Sequence, residues 1–261
     1  MVDWDAGNYE RTAEELEPVA EAVVKVAAPP AGARVLDLAC GTGNVALLAA
    51  RLGARVIGVD AAPRLLEVGR ERARSPGLEV EFRQGDLHEL PVEDDFADIV
   101  LSVFGLIFAP DPARAMREVA RVVRPGGRVF VTAWIPAGPI HAMLAAMGRV
   151  LARVTQGEPP PKRFPWSEGA AVQALAGDAG LSLQRTTPAE LAIRDSSPEA
   201  YVAAGQEHPM ALAPQAVLER AGTAAAEARA AMVAVLREAN EDPERFLVHS
   251  PYVVHELGAP S

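Results

Sequence analysis

The sequence predicts an α/β fold in which parallel strands alternate with helices in one doubly wound sheet. Short apolar runs typical of buried strands recur through the first half of the chain, and segments with helical spacing of their apolar residues lie between them. The run from Ala97 to Val103 is apolar almost throughout, as expected of a strand covered on both faces. A glycine turn, Gly41-Thr42-Gly43, joins the first run to the helix after it. Alternation of this kind implies a parallel sheet.

The composition predicts an acidic surface. The 261 residues are enough for one α/β domain with insertions, and 25 basic against 35 acidic residues give a net charge of −10. A surface of that charge repels phosphate backbones and anionic lipid. Neither a nucleic acid nor a membrane surface is therefore expected as a partner, although a small anionic substrate in a basic pocket is compatible with it.

The single cysteine and the amino terminus bear on compartment and metal content. Cys40 is the only cysteine, which excludes an internal disulfide and a cysteine-cluster metal site, and no metal is expected. The amino terminus lacks the basic and apolar regions of a signal peptide, and no apolar run reaches the length of a membrane span. We therefore expect a cytoplasmic protein.

A helix is predicted over Tyr9 to Ala28, ahead of the first strand. Apolar residues recur there at helical spacing, and the prolines and glycine of residues 29–32 end the pattern. A helix in this place could cover a ligand at the sheet edge, so Tyr9 is a candidate lid contact. A surface aromatic at a frayed terminus is the alternative interpretation.

The turn after the first strand is a candidate anion or nucleotide site. Backbone N–H groups and the dipole of the following helix point at whatever lies there, and Gly41 and Gly43 let the backbone approach it. Asp60 ends the second strand nineteen residues after Gly41, the spacing at which an acid meets ribose hydroxyls in a nucleotide fold. The turn also satisfies the loose G-x-G-x-x-A pattern of NAD-binding proteins, so an NAD-dependent oxidoreductase is an alternative at this point.

Three further features favour a different nucleotide cofactor. Asp37 lies inside the end of the first strand, where a dinucleotide fold usually has apolar residues. The motif Gly85-Asp86-Leu87 places a second acid after a third strand predicted over Leu78 to Phe82. An Arg-Pro-Gly-Gly-Arg motif over 124–128 introduces a strand over Val129 to Trp134.

The polar residues of these segments fall at one edge of the predicted sheet. Ligands of doubly wound sheets bind outside the carboxyl ends of the strands. Four such ends carry Asp37, Asp60, Asp86 and Ser102. We expect the four to form one rim.

With these motifs the chain resembles the class I S-adenosylmethionine (SAM)-dependent methyltransferases, specifically the small-molecule group related to ubiquinone and menaquinone biosynthesis methyltransferases. The resemblance rests on DLACGTG (37–43), GVD (58–60), GDL (85–87), DIVLSVFGLIFAPD (98–111) and RVVRPGGR (121–128). It covers the first half densely and the second half only in outline. It implies a seven-stranded, mostly parallel Rossmann-like sheet with an antiparallel last hairpin and helical cap insertions.

We expect one methyltransferase domain over 1–261, with a SAM-binding core over 30–136 and cap insertions over 137–166 and 196–245. A turn is expected at 75–77, and a proline run lies at 159–161. In the second insertion a long helix is predicted after Pro214, with apolar positions from Val217 to Leu236. It is expected to form a packed cap or a dimer face, so a homodimer is among the expectations. A strand is predicted over Phe246 to Leu257.

SAM carries an amino-carboxylate, a ribose diol, an adenine and a cationic sulfonium. The glycine turn can receive the amino-carboxylate through backbone groups, and Asp60 can accept two hydrogen bonds from the diol. By the resemblance, Asp86 takes the adenine amino group, the N–H of Leu87 meets a ring nitrogen, and Asp37 helps to hold the SAM amino group. Taken alone, Asp37 and Asp86 are also interpretable as helix-capping or turn residues. The remaining cofactor contacts expected are Ala39, Gly41, Thr42, Gly43, Ala61, Ser102 and Phe104.

The resemblance implies methyl transfer from SAM to a small organic acceptor, giving S-adenosylhomocysteine. Only two lysines accompany abundant arginine and alanine, which suggests a GC-rich genome and a specialised metabolite as acceptor. A general base is needed only if the acceptor must lose a proton. His208 and His141 are the candidates, and structural roles are the alternative. An NAD-dependent oxidoreductase and a non-catalytic SAM-binding protein are the rival functions.

Overall fold

The structure is a computed structural model that describes residues 2–74, 78–157 and 163–261. Among these residues seven strands form one sheet: β1 (Arg34–Leu38), β2 (Arg55–Asp60), β3 (Val80–Gln84), β4 (Ala97–Ser102), β5 (Val123–Trp134), β6 (Ser182–Asp195) and β7 (Phe246–Gly258). Their order across the sheet is β3-β2-β1-β4-β5-β7-β6. The first five strands run parallel to their neighbours, and β7 runs antiparallel to β5. The predicted fold class is confirmed.

Ten α-helices accompany these strands in the described part of the chain. They are α1 (Glu10–Glu15), α2 (Glu17–Ala27), α3 (Asn44–Arg51), α4 (Pro63–Arg74), α5 (Pro112–Val122), α6 (Gly138–Thr155), α7 (Gly169–Asp178), α8 (Pro198–Gly205), α9 (Pro209–Arg220) and α10 (Ala224–Ala239). A short 3-10 helix, Leu106–Phe108, follows β4. None of the helices described is long and apolar enough to cross a membrane.

The strand order fixes where a ligand can bind. The chain runs from β1 outward through β2 to β3, and β4 then pairs with the opposite side of β1. This reversal creates a crevice at the carboxyl ends of β1 and β4, which is where ligands of such sheets bind. The two strands have almost fully buried residues, including Val35, Leu36, Val100 and Leu101. The site therefore rests on the most buried part of the sheet.

The chain divides into two compact units. One comprises residues 13–134, 164–189 and 252–261 and contains β1 to β5 with the glycine turn. The other comprises residues 1–12, 135–163 and 190–251. Its core includes Val150 of α6, Leu218 of α9, and Ala224 and Ala228 of α10. The two segments expected as cap insertions fall largely in this second unit.

The helix predicted over Tyr9 to Ala28 is two helices. Pro18 lies in the first turn of α2, where its missing N–H costs nothing. In a continuous helix the Pro18 ring would clash with the carbonyl of Glu14, so α1 ends at Glu15.

The long helix predicted after Pro214 is also wrong in its bounds. Helix α9 already begins at Pro209 and contains Pro214. It ends at Arg220, and α10 begins only at Ala224. Gly222 between them has φ +67°, a left-handed conformation that ends helices.

The start of β5 also differs from its predicted start at Val129. The strand begins at Val123, and its register with β4 shifts between the pairs Ala97↔Val123 and Ile99↔Arg128. The Arg-Pro-Gly-Gly segment is therefore extra chain within the strand rather than a turn before it. The turn expected at 75–77 and the proline run at 159–161 lie outside the described residues.

Candidate functional site

Hydrogen bonds join the carboxyl ends of adjacent strands into one edge. The hydroxyl of Ser102, at the end of β4, donates to the carbonyl of Leu38 in β1 at 3.1 Å. The N–H of Cys40, just after β1, donates to the carbonyl of Val59 in β2 at 3.0 Å. The ends of β4, β1 and β2 are thus fixed relative to one another.

The glycine turn after β1 has the conformation that only glycine adopts easily. Gly41 has φ +53°, and Gly43, the residue before α3, has φ +85°. A Cβ on Gly43 would lie 2.9 Å from Cζ of Phe82. The same ring would meet a Cβ on Gly58 at 3.1 Å and one on Gly69 at 2.8 Å. Phe82 therefore packs into space left by three glycines, one of which belongs to the turn.

Arg72 of α4 holds the turn from the side of the helices. Its Nη1 lies 2.9 Å from the carbonyl oxygen and 2.9 Å from the hydroxyl oxygen of Thr42. The same nitrogen lies 2.7 Å from Oδ1 of Asn44, and the Asn44 amide donates to the carbonyl of Ala13 at 2.5 Å. The side chain of Thr42, an expected cofactor contact, is thus used to fix the turn.

Asp60 connects the end of β2 to the turn. Its Oδ2 accepts a hydrogen bond from the N–H of Gly41 at 2.8 Å, and its Oδ1 accepts one from the N–H of Ala62 at 2.9 Å. The carbonyl of Asp60 accepts from the N–H of Gly85 at 3.0 Å, which adds the end of β3 to the edge. Each carboxylate oxygen has two acceptor positions, so these bonds orient the group and are compatible with contacts to a diol.

Asp37 is a buried acid, 2% exposed. Its Oδ2 accepts from the N–H of Ala46, in the first turn of α3, at 3.0 Å. This bond is the helix-capping role considered from the sequence. Burial raises the pKa of Asp37 from 3.8 to about 8, against the opposing effect of the Ala46 bond. A cation placed beside this carboxyl would favour its ionised form.

Two strained residues lie after β1 and β4. Ala39 has φ +51° and Phe104 has φ +55°, both unusual for residues with a side chain. The two loops abut, because a Cβ on Gly105 would lie 2.4 Å from Cβ of Ala39. The N–H of Phe104 donates to Oγ1 of Thr132 at 2.8 Å, and its ring stacks on Trp134 with centroids 3.8 Å apart. Strain of this kind concentrates at ligand sites.

The remaining expected contacts lie at the ends of β2 and β3. Ala61 is exposed, and its carbonyl accepts from the Gln84 amide at 3.3 Å. Asp86 has a side chain that is 64% exposed and is paired with His88. Leu87 between them is half-buried. The acid expected to meet adenine is therefore accessible to a ligand.

Cys40 is a buried thiol at the centre of this edge. Burial, together with the carboxyls of Asp37 and Asp60, holds its pKa well above its ordinary value. Since the thiolate is the reactive form, Cys40 is a packing residue and not a nucleophile.

Three other expected residues, Tyr9, His141 and His208, belong to the second unit. The rings of Trp4, Tyr9 and His208 form one cluster, with centroids 5.9 to 6.1 Å apart. His141 is exposed in the first turn of α6. The roles of these three residues at the site remain predictions.

Nδ1 of His208 accepts the N–H of Met210 at 3.2 Å and caps α9. Burial lowers the pKa of His208, so the ring is neutral near pH 7. With Nδ1 used as an acceptor, the proton of the neutral ring is on Nε2. The side chain thus presents a hydrogen-bond donor.

The groups at the strand ends fit SAM chemically. A buried carboxyl, Asp37, suits a cationic amino group, Asp60 suits a diol, and the accessible Asp86 suits an adenine amino group. The glycines of the turn, which have left-handed φ values and no side chain, leave backbone groups accessible at the same edge. In the described residues no cluster of three histidine, cysteine or acidic side chains could hold a metal ion.

Comparisons with known proteins identify the family. Residues 36–131 match the family model described as "Methyltransferase domain". The chain is 36% identical over 130 residues to the ubiquinone biosynthesis O-methyltransferase of Xanthomonas axonopodis, covering 49% of this chain and 54% of that protein. It is 38% identical over 182 residues to an uncharacterized protein of Mycobacterium tuberculosis, covering 69% and 66% respectively. The match thus spans about two thirds of the first relatives and about half of the named methyltransferase.

The fold agrees with this assignment. The YcgJ protein of Bacillus subtilis superposes with a TM-score of 0.63 at 23% identity, over 93% of this chain and 98% of that one. Residues 36–131 therefore form a methyltransferase domain of the class I SAM-dependent type.

Two residues of the site were missed by the sequence analysis. The sequence analysis assigns no role to Arg72 or to His88. Their partners lie far along the chain: Arg72 contacts Thr42, and His88 contacts the backbone of Asp111. A local sequence pattern carries no signal for contacts of that range.

Proposed function

We propose that the protein transfers a methyl group from SAM to a small organic acceptor and releases S-adenosylhomocysteine. One observation carries the proposal. The adjacent ends of β4, β1, β2 and β3 carry Ser102, Asp37, Asp60 and Asp86 in that order. A run of acids beside a glycine turn is suited to a ligand with a cationic end, a diol and an amino-purine.

Each group has a distinct task in this proposal. Asp60 accepts the two ribose hydroxyls, and its bond to the N–H of Gly41 keeps the turn and the ribose in register. Asp37 in its ionised form attracts the amino group, and Asp86 accepts from the adenine. Phe104, supported by Trp134, supplies an apolar wall.

The protein's contribution to the reaction is placement. When bound, SAM supplies a methyl carbon activated by the sulfonium, whose C–S electron pair stays on sulfur as the methyl group leaves. Holding an acceptor in line with that carbon can supply about 7–11 kcal/mol of the barrier. Exclusion of water prevents screening of the attraction between the cationic sulfonium of SAM and the acceptor.

His208 and His141 are the residues proposed to act on the acceptor, His208 as a hydrogen-bond donor and His141 as a general base. Because Nδ1 of His208 caps α9, its neutral ring offers Nε2–H to the acceptor. The Nε2–H group of His208 is therefore suited to donate a hydrogen bond to an oxygen or nitrogen of the acceptor. His141 is exposed, and within the residues that the structure describes no hydrogen bond involves its ring nitrogens, so either nitrogen could act as a general base.

Calorimetry tests the cofactor part of the proposal. We expect the wild-type protein to bind SAM and S-adenosylhomocysteine saturably and not to bind NAD or NADH. Saturable nicotinamide binding without SAM binding would support the oxidoreductase and contradict the proposal.

Methyl-labelled SAM tests the reaction. The protein is incubated with pools of small phenols, quinols, amines and hydroxylated metabolites, and label is sought in an organic extract. Label that appears with wild type and not with Asp60→Ala supports the proposal. Tight SAM binding with no transfer to any pool would favour the non-catalytic SAM-binding protein.

A further inference from the structure

His88 lies between the acid after β3 and the beginning of α5. Its Nδ1 lies 3.0 Å from Oδ1 of Asp86, and its backbone N–H donates to the same oxygen at 2.7 Å. Its Nε2 accepts the backbone N–H of Asp111, the residue before α5, at 3.2 Å. The His88 side chain is only 15% exposed, whereas that of Asp86 is 64% exposed. A shielded ring thus holds an accessible carboxylate.

The bond to Asp111 determines which nitrogen carries the proton. A backbone N–H can only donate, so Nε2 must present its lone pair. The neutral ring is then protonated on Nδ1, which faces Oδ1 of Asp86 at 3.0 Å as an electrostatic contact. In the described residues, the backbone N–H of His88 and its Nδ1 both approach Oδ1 of Asp86. Oδ2 is the oxygen left to accept from a ligand.

The backbone of His88 is anchored from the side of α5. The guanidinium of Arg114, in the first turn of α5, donates through Nε to the carbonyl of His88 at 3.0 Å. Arg121 of the same helix donates to the carbonyls of Leu90 and Val92 at 3.1 and 2.8 Å. Arginine side chains of α5 therefore fix the backbone of the segment after β3, and His88 in this segment contacts the Asp86 carboxylate.

We propose that His88 is a positioning residue that presents Oδ2 of Asp86 to the exocyclic amino group of adenine. The inference rests on the proposed function, because it takes Asp86 to face the adenine. A carboxylate held by the N–H bond of His88 and by the contact with its ring loses little freedom when the amino group binds, whereas an unsupported carboxylate must be ordered on binding. His88 therefore increases the preference of the site for a purine with an amino group over a purine with a carbonyl group at the same position.

Two substitutions of His88 test the contacts of its two ring nitrogens separately. The amide nitrogen of His88→Asn lies near the place of Nδ1 and retains an N–H group that faces Asp86. The amide oxygen of His88→Gln reaches the place of Nε2, so this variant retains the Asp111 contact and loses the group that faces Asp86. Thermal unfolding of both variants shows whether the fold is retained.

The readout is calorimetric affinity for S-adenosylhomocysteine and for S-inosylhomocysteine, which has a carbonyl in place of the amino group. We expect His88→Gln to lose about tenfold for the adenosyl ligand, the size of one charge-assisted hydrogen bond, and nothing for the inosyl ligand. His88→Asn should bind both ligands as wild type does. In an Asp86→Asn background His88→Gln should have no further effect.

Two results would overturn this proposal alone: unchanged adenosyl affinity in His88→Gln, or an equal loss for both ligands. Failure of the wild-type protein to bind S-adenosylhomocysteine would instead overturn the proposed function together with it.

Discussion

The carboxylate of Asp60 accepts the backbone N–H of Gly41 at 2.8 Å, across nineteen residues of sequence. The acid that ends β2 and the turn that follows β1 are therefore one unit of structure. A change at either residue affects both the diol contact and the shape of the turn.

Asp60→Ala should weaken binding of SAM and S-adenosylhomocysteine by roughly 100-fold or more, since hydrogen bonds to a charged group contribute about 1.5–3 kcal/mol each. Calorimetry measures this loss. Asp178→Ala, an exposed acid of α7, is the matched control and should bind as wild type. Wild-type affinity in Asp60→Ala would contradict the ribose contact.

Asp37→Asn should change how stability depends on pH. Because burial raises the pKa of Asp37 from 3.8 to about 8, the folded state holds a proton that the unfolded state has lost between these values. The stability from this group is complete below the lower value and is lost as pH rises to the upper one. Asn keeps an acceptor for Ala46 and does not titrate.

Urea unfolding from pH 5 to 8.5 should show the wild type losing, relative to Asp37→Asn, on the order of 2 kcal/mol or more. Asp178→Asn should keep the wild-type slope. Parallel curves for wild type and Asp37→Asn would show that Asp37 is ionised in the folded protein throughout.

Gly43→Ala should destabilise the protein by about 2 kcal/mol or more, because a left-handed residue and a crowded Cβ are both costly. The crowding is with Phe82, 2.9 Å from the added carbon. Gly177→Ala, in α7 with open space around its Cβ, should instead be neutral or stabilising by about 0.5–1 kcal/mol. Equal unfolding free energies for the two variants would speak against the packing described.

Arg72→Gln should raise the KM for SAM by about fivefold and leave kcat nearly unchanged, because the residue holds the turn and touches no reacting group. Arg74→Gln, an exposed residue at the end of α4, is the control and should leave both constants unchanged. A fall in kcat alone would assign Arg72 a different role.

His208→Asn should lower turnover about tenfold or more while stability and SAM affinity stay at wild-type values. Asn is a good helix cap and replaces Nδ1 toward Met210, but it has nothing at the place of Nε2. His249→Asn is the control, because His249 pairs with Glu241 at the surface. Full activity of His208→Asn with an acceptor that needs a donor would eliminate His208.

The sheet and its rim were predictable because their signals are local. Strands end where acids follow apolar runs, and Asp37, Asp60 and Asp86 each do so. The break between α1 and α2 could also be predicted, because Pro18 disfavours a continuous helix. The helical spacing of apolar residues on both sides of Pro18 instead favoured one helix. The start of β5 could not be predicted from the sequence, because it depends on a register shift in the pairing with β4.

The supporting contacts could not be predicted for a different reason. His88 acts through an acid two residues before it and a backbone group twenty-three residues after it. In the sequence, the pair His88-Glu89 resembles any solvent-exposed polar pair. Only the folded loop shows that one ring nitrogen accepts from Asp111 and the other faces Asp86.

The packing of Phe82 against Gly43, Gly58 and Gly69 has a consequence for how this family diverges. One aromatic ring fills the volume of three absent methyl groups, on the turn, on β2 and on α4. Gly69 and Phe82 are therefore mutationally interdependent, because Gly69 can gain a methyl group only if the ring at 82 becomes smaller. Gly43 stays restricted by its φ of +85°, and Gly58 by Sγ of Cys40 at 3.0 Å from an added Cβ. Homologues should change positions 69 and 82 together.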